Sequence, residues 1–151
     1  MNIRKINQSD IPALAEMIFS YKLEQDPGLD ESIRSAISAT LTETVTTGNA
    51  TILVALNDNK KVVGFINYHE IVFPMIAGKE LYISDLLVDK NERGKKTGKK
   101  LIDEVDKTAL SKGCKRLMLN NLKLAESYTR GFYRKSGFEE RINIANFVKN
   151  Y

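Results

Sequence analysis

A cluster of basic residues with two glycines separates an apolar stretch that ends near residue 88 from a helical pattern. Its six basic side chains are Lys90, Arg93, Lys95, Lys96, Lys99 and Lys100. A junction between a strand and a helix exposes backbone N–H groups at the positive end of the helix dipole, so it binds anions well. The loop therefore predicts an anion site, most plausibly for phosphate. The alternative is a solvated charge run at the start of an amphipathic helix.

Two common phosphate-binding motifs do not fit this loop. Gly94 and Gly98 are separated by three residues, whereas a P-loop has four, and Lys100 stands where the P-loop has its magnesium-binding Ser or Thr. The glycine fingerprint of dinucleotide-binding folds is also absent, since two lysines follow Gly94. These mismatches argue against a nucleoside triphosphatase and against nicotinamide or flavin binding.

The loop and its flanking segments resemble the GNAT superfamily of N-acetyltransferases. Residues 93–98, Arg-Gly-Lys-Lys-Thr-Gly, match the signature [QR]-x-x-G-x-[GA] at Arg93 and Gly98, and Lys96 stands where the family usually has glycine. Residues 82–88 resemble the family's fourth strand, and residues 129–138 resemble its block with a Phe-Tyr pair and a later Gly-Phe. The order of the predicted elements matches the family along essentially the whole chain.

The resemblance implies how acetyl-CoA is bound. Loop amides are expected to hold the pyrophosphate, and main-chain groups of Leu87 and Val88 are expected to hold the pantetheine arm. Glu126 replaces an asparagine that contacts pantetheine in many relatives, or it helps to bind a cationic acceptor. If Lys96 must adopt a positive φ or lie against phosphate, a lysine there is expected to cost on the order of 1 kcal/mol, and pairing of its charge with phosphate would offset a similar amount. The implied coenzyme-binding residues are Leu87, Val88, Arg93, Gly94, Lys95, Lys96, Thr97, Gly98, Lys99, Glu126 and Tyr133.

Two residues are the predicted catalytic groups, Tyr133 and Asp85. The resemblance implies that the Tyr133 phenol protonates the leaving thiolate, because phenols of ordinary pKa, about 10, stay neutral at pH 7. The alternative for Tyr133 is core packing beside Phe132 and Phe138. An amine acceptor is about 0.1% neutral at pH 7, so a base or a water chain must accept its proton. Asp85 is the predicted base or the end of a water relay, and the alternatives are Glu80, His69 and Glu70.

Alternating strand and helix patterns are expected to position these residues. The predicted strands cover residues 2–7, 51–56, 62–71, 80–88, 115–120 and 138–148. The predicted helices lie after a cap at Ser9, between Ile33 and Gly48, around residues 101–109 before Gly113, and over residues 125–136. The fourth and fifth strands flank a helical crossover, so they are predicted to be parallel neighbours. The expected fold is α/β, a mixed antiparallel and parallel sheet with helices on both faces, in the order β-α-α-β-β-β-α-β-α-β.

Composition narrows the class of protein. The 151 residues correspond to one domain, so we expect a single acetyltransferase domain over residues 1–151. A net charge of +4 is too small to indicate a nucleic-acid-binding protein by itself, and the longest apolar run, residues 52–56, is far too short to span a membrane. No secretion signal is evident and Cys114 has no cysteine partner, so a cytoplasmic setting is expected. One histidine and one cysteine predict no metal site.

The predicted function is transfer of an acetyl group from acetyl-CoA, as co-substrate, to a primary amine. The amine attacks the thioester directly in a ternary complex, while backbone N–H groups of the fourth strand polarise the carbonyl. The alternatives are a catalytically weak acyl-CoA-binding or sensor module and, less favoured, a nucleic-acid-binding domain. The expected partner is a small-molecule or peptide amine acceptor. Homodimerisation is open, and neither a membrane nor nucleic acid is an expected partner.

Overall fold

A computed structural model describes residues 1–151, which form two compact units, residues 1–120 and residues 121–151. The strands of the first unit are β1 (Asn2–Lys5), β2 (Thr51–Leu56), β3 (Val62–Phe73), β4 (Gly78–Val88) and β5 (Arg116–Leu119). Its helices are α1 (Ile11–Gln25), α2 (Ser32–Thr47) and α3 (Thr97–Ser111). The second unit contains the short helices α4 (Glu126–Thr129) and α5 (Phe132–Lys135). None of these helices has the length and apolar character needed to cross a membrane.

The five strands form one mixed sheet in the order β1-β2-β3-β4-β5. The first four strands are antiparallel to their neighbours, while β4 and β5 are parallel. A parallel pair needs a long crossover, and α3 supplies it. The predicted parallel pair on either side of the basic loop is therefore confirmed, and β2 and β3 form an antiparallel hairpin.

Helices cover both faces of the sheet, as predicted. On one face, Val54 and Phe65 lie in the apolar cluster that also contains Leu14 of α1 and Leu41 of α2. Side chains of a strand alternate between faces, so Gly64, next to Phe65, points to the opposite face. There a Cβ at Gly64 would lie 3.4 Å from Thr97 Cγ2, at the start of α3. A Cβ there would also lie 3.1 Å from the Leu87 carbonyl oxygen, so the absence of a side chain at Gly64 avoids crowding against both β4 and the start of α3.

The start of α1 differs from the prediction. The strand β1 ends at Lys5, and a 3-10 turn precedes the helix, with Asn7 as its cap in place of Ser9. Asp10 accepts a hydrogen bond from the Asn7 N–H at 2.8 Å and also pairs with Arg4. Ser9 donates to the Asn7 side chain instead of capping the helix. A buried ion pair at Asp10 thus determines where the chain turns, which local capping preference did not reveal.

The second unit differs more strongly from the prediction. The helix predicted for residues 125–136 is two four-residue helices, because Gly131 takes a left-handed φ of 64° between them. The final predicted strand, residues 138–148, is not formed. Near its start, Glu140 is bound by Arg134, Lys123 and Tyr128, all within this unit. The large apolar side chains whose alternation suggested a strand are exposed. They are Ile142, Ile144, Phe147 and Val148.

Candidate functional site

The loop between β4 and α3 contains two left-handed residues. Asp89 caps a short 3-10 turn, Lys90–Glu92, by accepting a hydrogen bond from the Asn91 N–H at 2.8 Å. Gly94 then takes φ 78° and Lys96 takes φ 64°. Lys96 is the residue that caps α3, so its backbone directs the helix start. The positive φ considered for Lys96 is therefore observed, at a position where a side chain costs on the order of 1 kcal/mol.

The first turn of α3 offers unpaired backbone donors. The Lys100 N–H donates to the Lys96 carbonyl at 3.0 Å, so the N–H groups of Thr97, Gly98 and Lys99 have no acceptor within the helix. No side chain caps these groups. Thr97 is only 1% exposed, and its hydroxyl oxygen has no hydrogen-bond partner. Three amides and an orphaned hydroxyl at the positive end of a helix fit a phosphate or diphosphate.

At least three of the six basic side chains around this loop are paired with acids. The pairs are Lys90–Glu24, Lys95–Glu92 and Lys99–Asp103. Lys96 and Lys100 make no ion pair, and Arg93 Nε donates to the Val88 carbonyl at 3.4 Å. The loop is therefore less positive than the sequence alone suggests. A defined anion site made of main-chain donors fits these observations better than a broad basic surface.

One edge of β4 lacks a strand partner along its second half. The pairing of β4 with β5 ends at Ile83, opposite Leu119, but β4 continues to Val88. On the other side, β4 remains paired with β3 as far as Val88. The backbone groups of β4 that point away from β3 therefore meet no strand after Ile83. Such an edge can add an extended ligand that has amides of its own.

The register identifies which residues present these groups. In an antiparallel pair, opposed residues alternate between hydrogen-bonded and non-hydrogen-bonded pairs. The Asp89 N–H donates to the Val63 carbonyl at 2.9 Å, so Leu87, two residues earlier, also directs its groups toward β3. Leu86 and Val88 direct their backbone N–H and C=O groups away from β3, toward the edge of β4 that has no strand partner. The register thus agrees with the role predicted for Val88, but at Leu87 it differs, and Leu86 takes that place.

A bulge in β4 gathers four polar side chains on the sheet. Asn67 pairs with Asp85 and Tyr68 pairs with Ile83, so Ser84 is an extra residue without an opposite partner. Adjacent residues of a regular strand point to opposite faces, but Ser84 Oγ lies 2.9 Å from Asp85 Oδ2. The Asn67 amide donates to the same carboxylate oxygen at 3.2 Å, and His69 Nε2 lies 3.3 Å from Ser84 Oγ. Asp85 and Ser84 are exposed and thus accessible to a ligand.

Two other acids named from the sequence are occupied. Glu80 is buried, with 2% of its surface exposed, and its carboxylate binds Arg116. Glu70 binds Lys112 and Lys79, and these two lysines lower the pKa of its carboxyl to about 2. A carboxylate with so low a pKa is a poor proton acceptor. Asp85 and His69 are the remaining candidates.

The residues predicted from the second block of the resemblance lie in the unit of residues 121–151. Tyr133 packs edge-on against Phe132 and Phe138, with ring centroids 5.0 and 5.9 Å away. Burial raises the pKa of its phenol, and the charge of Arg130 offsets part of the rise. Glu126 is the first residue of α4, and its carboxylate lies 3.9 Å from Arg130. The structure thus shows the aromatic packing that was the alternative for Tyr133, together with a phenol that stays neutral.

Sequence reasoning missed three residues of this arrangement, namely Leu86, Ser84 and Asn67. Leu86 follows only from the register of β4 on β3. The contacts of Ser84 with Asp85 and His69 depend on the bulge, which has no signal in the sequence. Asn67 lies on a different strand, 18 positions from Asp85 in the chain. No group of three or more His, Cys, Asp or Glu residues is placed to hold a metal ion.

Comparison with known proteins identifies the family. Residues 13–138 match the Acetyltransferase (GNAT) family, while no curated protein sequence matches the chain significantly. Three solved structures show the same fold. A ribosomal-protein-alanine N-acetyltransferase from Brucella melitensis biovar Abortus 2308 is 18% identical, with all of both chains covered and a TM-score of 0.77.

The two further structures are acetyltransferases with different acceptors in their names. Glucosamine-6-phosphate N-acetyltransferase from Arabidopsis thaliana is 23% identical, with 98% of each chain covered and a TM-score of 0.73. An aminoglycoside acetyltransferase from an uncultured soil metagenomic sample, in complex with sisomicin, is 23% identical, with 99% of this chain and 95% of that chain covered and a TM-score of 0.76. At these identities the likeness shows the fold, while the family match spans most of the sequence. The protein described here therefore belongs to the Acetyltransferase (GNAT) family.

Proposed function

We propose that the protein transfers the acetyl group of acetyl-CoA to a primary amine, and that residues 1–151 act as one acetyltransferase domain. The amine attacks the thioester directly while both substrates are bound. The observation that carries this proposal is the pair of unfilled main-chain surfaces, the first turn of α3 and the open edge of β4 after Ile83. The first turn of α3 suits a diphosphate, and the open edge of β4 suits an extended chain with amides. Coenzyme A contains a diphosphate and an amide-bearing pantetheine arm.

The coenzyme would be held mainly by backbone groups. The amides of Thr97, Gly98 and Lys99 would bind the pyrophosphate, and the Thr97 hydroxyl would gain a partner that it lacks within the chain. The backbone of Leu86 and the N–H of Val88 would pair with the pantetheine arm along the open edge, while the Val88 carbonyl accepts from Arg93 Nε. The remaining predicted loop residues, Arg93, Gly94, Lys95 and Lys96, shape the turn that presents these amides. Such a site depends more on backbone conformation than on the identity of its side chains.

The chemical step needs an acid, a base and support for the carbonyl. A backbone N–H on the open edge of β4 would polarise the thioester carbonyl and stabilise the oxyanion. Tyr133 would protonate the leaving thiolate, and its raised pKa keeps the phenol in the protonated form that this role needs. Asp85 would receive the ammonium of the acceptor, because its carboxylate is exposed on the sheet. Glu126 is proposed to contact the pantetheine or to add negative charge for a cationic acceptor.

Release of free thiol from acetyl-CoA tests this function. The amine panel consists of an alanine-led peptide, glucosamine 6-phosphate and sisomicin, the acceptor types in the names of the structural neighbours. We expect amine-dependent thiol release with at least one of them. Tyr133→Phe should lower kcat by about 10²- to 10⁴-fold, the usual range for a lost general acid, without a large change in the KM for acetyl-CoA.

One observation favours a second candidate, an acyl-CoA sensor that does not turn over. The lysine at position 96 has a left-handed backbone, and its Cβ limits how closely phosphate approaches. Tight binding of acetyl-CoA without thiol release for any amine would favour the sensor. Salt-dependent retention on DNA or RNA, without a response to acetyl-CoA, would favour the nucleic-acid-binding alternative.

A further inference from the structure

We propose that Ser84 links Asp85 to His69 in a proton relay, in which His69 is the final acceptor of the proton released by the acceptor amine. This inference rests on the proposed function and identifies the base that it requires. It assigns a role to three side chains that the β4 bulge brings together. His69 is a half-buried residue of β3 and is the only histidine in the chain.

The three side chains form a continuous chain of contacts. Ser84 Oγ donates to Asp85 Oδ2 at 2.9 Å and lies 3.3 Å from His69 Nε2. The Asn67 amide donates to Asp85 Oδ2 at 3.2 Å, which fixes the orientation of the carboxylate. The other carboxylate oxygen, Oδ1, accepts no hydrogen bond from the chain. It is therefore available to a substrate ammonium, while Oδ2 communicates with the hydroxyl.

The bulge is the reason why this contact exists. Without the extra residue, Ser84 and Asp85 would point to opposite faces of β4. With it, both side chains reach the surface that carries Asn67 and His69, two residues of β3 that share a face because they are two positions apart. Bulges are frequent next to active sites, where they redirect a side chain.

The proton transfer balances along this chain. The ammonium gives one proton to Asp85, which passes a proton to Ser84 Oγ while the Ser84 hydroxyl proton moves to His69 Nε2. The carboxylate is restored and His69 becomes an imidazolium that donates to Ser84, which donates to Asp85. Ser84 donates to Asp85 Oδ2 in the structure, so the transfer requires its hydroxyl to rotate toward His69 Nε2 and requires the ring proton of neutral His69 to be on Nδ1.

Once the amine is neutral, it can attack the thioester. Its lone pair forms the C–N bond with the thioester carbon, and the C–S bond breaks with its electron pair on sulfur. The second proton lost by nitrogen balances the proton that the thiolate takes up. His69 is partly exposed, so it returns the first proton to solvent before the next turnover. No oxidant, metal or further reactant is needed.

Three variants and their combination test the relay. His69→Gln keeps a polar side chain but cannot accept the proton, Ser84→Ala removes the hydroxyl, and Ser84→Thr retains it. The probe is acetyl-CoA with the amine of highest rate among the alanine-led peptide, glucosamine 6-phosphate and sisomicin. We expect His69→Gln and Ser84→Ala each to lower kcat by about 10²-fold or more, with the KM for acetyl-CoA unchanged. Ser84→Thr should restore activity to within about threefold of the parent.

The double variant distinguishes a relay from two separate effects. If Ser84 acts only by connecting Asp85 to His69, then His69→Gln combined with Ser84→Ala should be no slower than the slower single variant. The control is Glu70→Gln, which is adjacent to His69 in sequence but is bound by Lys79 and Lys112. It should leave kcat within about threefold of the parent. Melting temperatures show whether each variant is folded.

Two results would overturn the relay. One is a His69→Gln variant with kcat within about threefold of the parent, and the other is a double variant whose loss is the product of the two single losses. Either result leaves the parent active, so the proposed function stands. Absence of thiol release by the parent with all three amines removes the proposed function and the relay together. The two failures are therefore distinguishable.

Discussion

Lys96→Gly is the perturbation whose consequences follow most directly from the backbone. Lys96 has φ 64°, a conformation that glycine adopts freely and that costs other residues on the order of 1–2 kcal/mol. Glycine also increases the entropy of the unfolded chain, which offsets about 0.4–1 kcal/mol of this gain. Lys96 makes no ion pair that the substitution would remove. We therefore expect a net stabilisation of between about 0 and about 1.6 kcal/mol, where each 1 kcal/mol is roughly 2–4 °C in melting temperature for a chain of this size.

The same substitution should leave coenzyme affinity equal to or above that of the parent. Removing Cβ at position 96 allows phosphate to approach the backbone more closely, and this compensates for the loss of one positive charge. Lys96→Ala separates the two effects, because it loses the charge but keeps Cβ and the strained backbone. We expect it to bind acetyl-CoA up to about fivefold more weakly than the parent, equivalent to about 1 kcal/mol.

The assays are differential scanning fluorimetry for stability and isothermal titration calorimetry for acetyl-CoA binding. Lys95→Gly is the matched control, since it removes a neighbouring lysine at a residue without positive φ. It should be destabilised by about 0.5–1 kcal/mol, because glycine there brings its entropic cost without relieving strain, and the exposed Lys95–Glu92 pair that is also lost adds little. A lower melting temperature for Lys96→Gly, or a large loss of its affinity for acetyl-CoA, would refute the reasoning from strain.

Three further predictions concern single side chains. Thr97→Val should not lower the melting temperature, since it removes a buried hydroxyl without a partner, but it should weaken binding of coenzyme A in calorimetry. Glu70→Gln should lower stability at pH 7 by no more than about 1 kcal/mol, as is usual for surface pairs. Because Lys112 and Lys79 lower the pKa of Glu70 to about 2, its contribution is present above the ordinary value of 4.5 and disappears as pH falls through 2. Melting curves of parent and variant should therefore converge near pH 2, and a difference that persists there would contradict this. Burial raises the pKa of Tyr133, so ionisation of this phenol should not lower kcat between pH 7 and about 10, and a Tyr133-dependent fall within that range would contradict its assignment as the acid.

The elements that position the anion site were predictable from local patterns. Apolar alternation in β4, the glycines of the loop and the apolar stripe of α3 indicate a strand, a turn and a helix in succession. The parallel pairing of β4 with β5 follows because a helical crossover separates them. The glycine that relatives have at position 96 indicated either a left-handed backbone or close contact with phosphate, and the left-handed backbone is observed. Each of these inferences depends on residues close together in the chain.

The features that were not predictable depend on contacts between distant residues. Whether Leu86 or Leu87 faces the open edge depends on the register of β4 against β3, and a change of one residue reverses the answer. The bulge at Ser84 likewise needs both strands. The acids that neutralise part of the basic loop come partly from elsewhere, such as Glu24 of α1 for Lys90. In the second unit, alternating apolar residues predicted a strand after residue 138, but no strand forms there. Alternation indicates which side chains would share a face of a sheet, but it does not show that a neighbouring strand is available for pairing.

The most direct test of the account is an amide titration of the protein labelled with nitrogen-15, followed by NMR as coenzyme A is added. If main-chain donors hold the coenzyme, the largest shifts should occur at Gly98 and Lys99, which begin α3, and at Leu86 and Val88, on the open edge of β4. Leu87, whose amide faces β3, should shift less than its two neighbours. Saturating coenzyme A that leaves these amides unmoved, or that shifts only lysine-rich surface away from the helix start, would contradict the account.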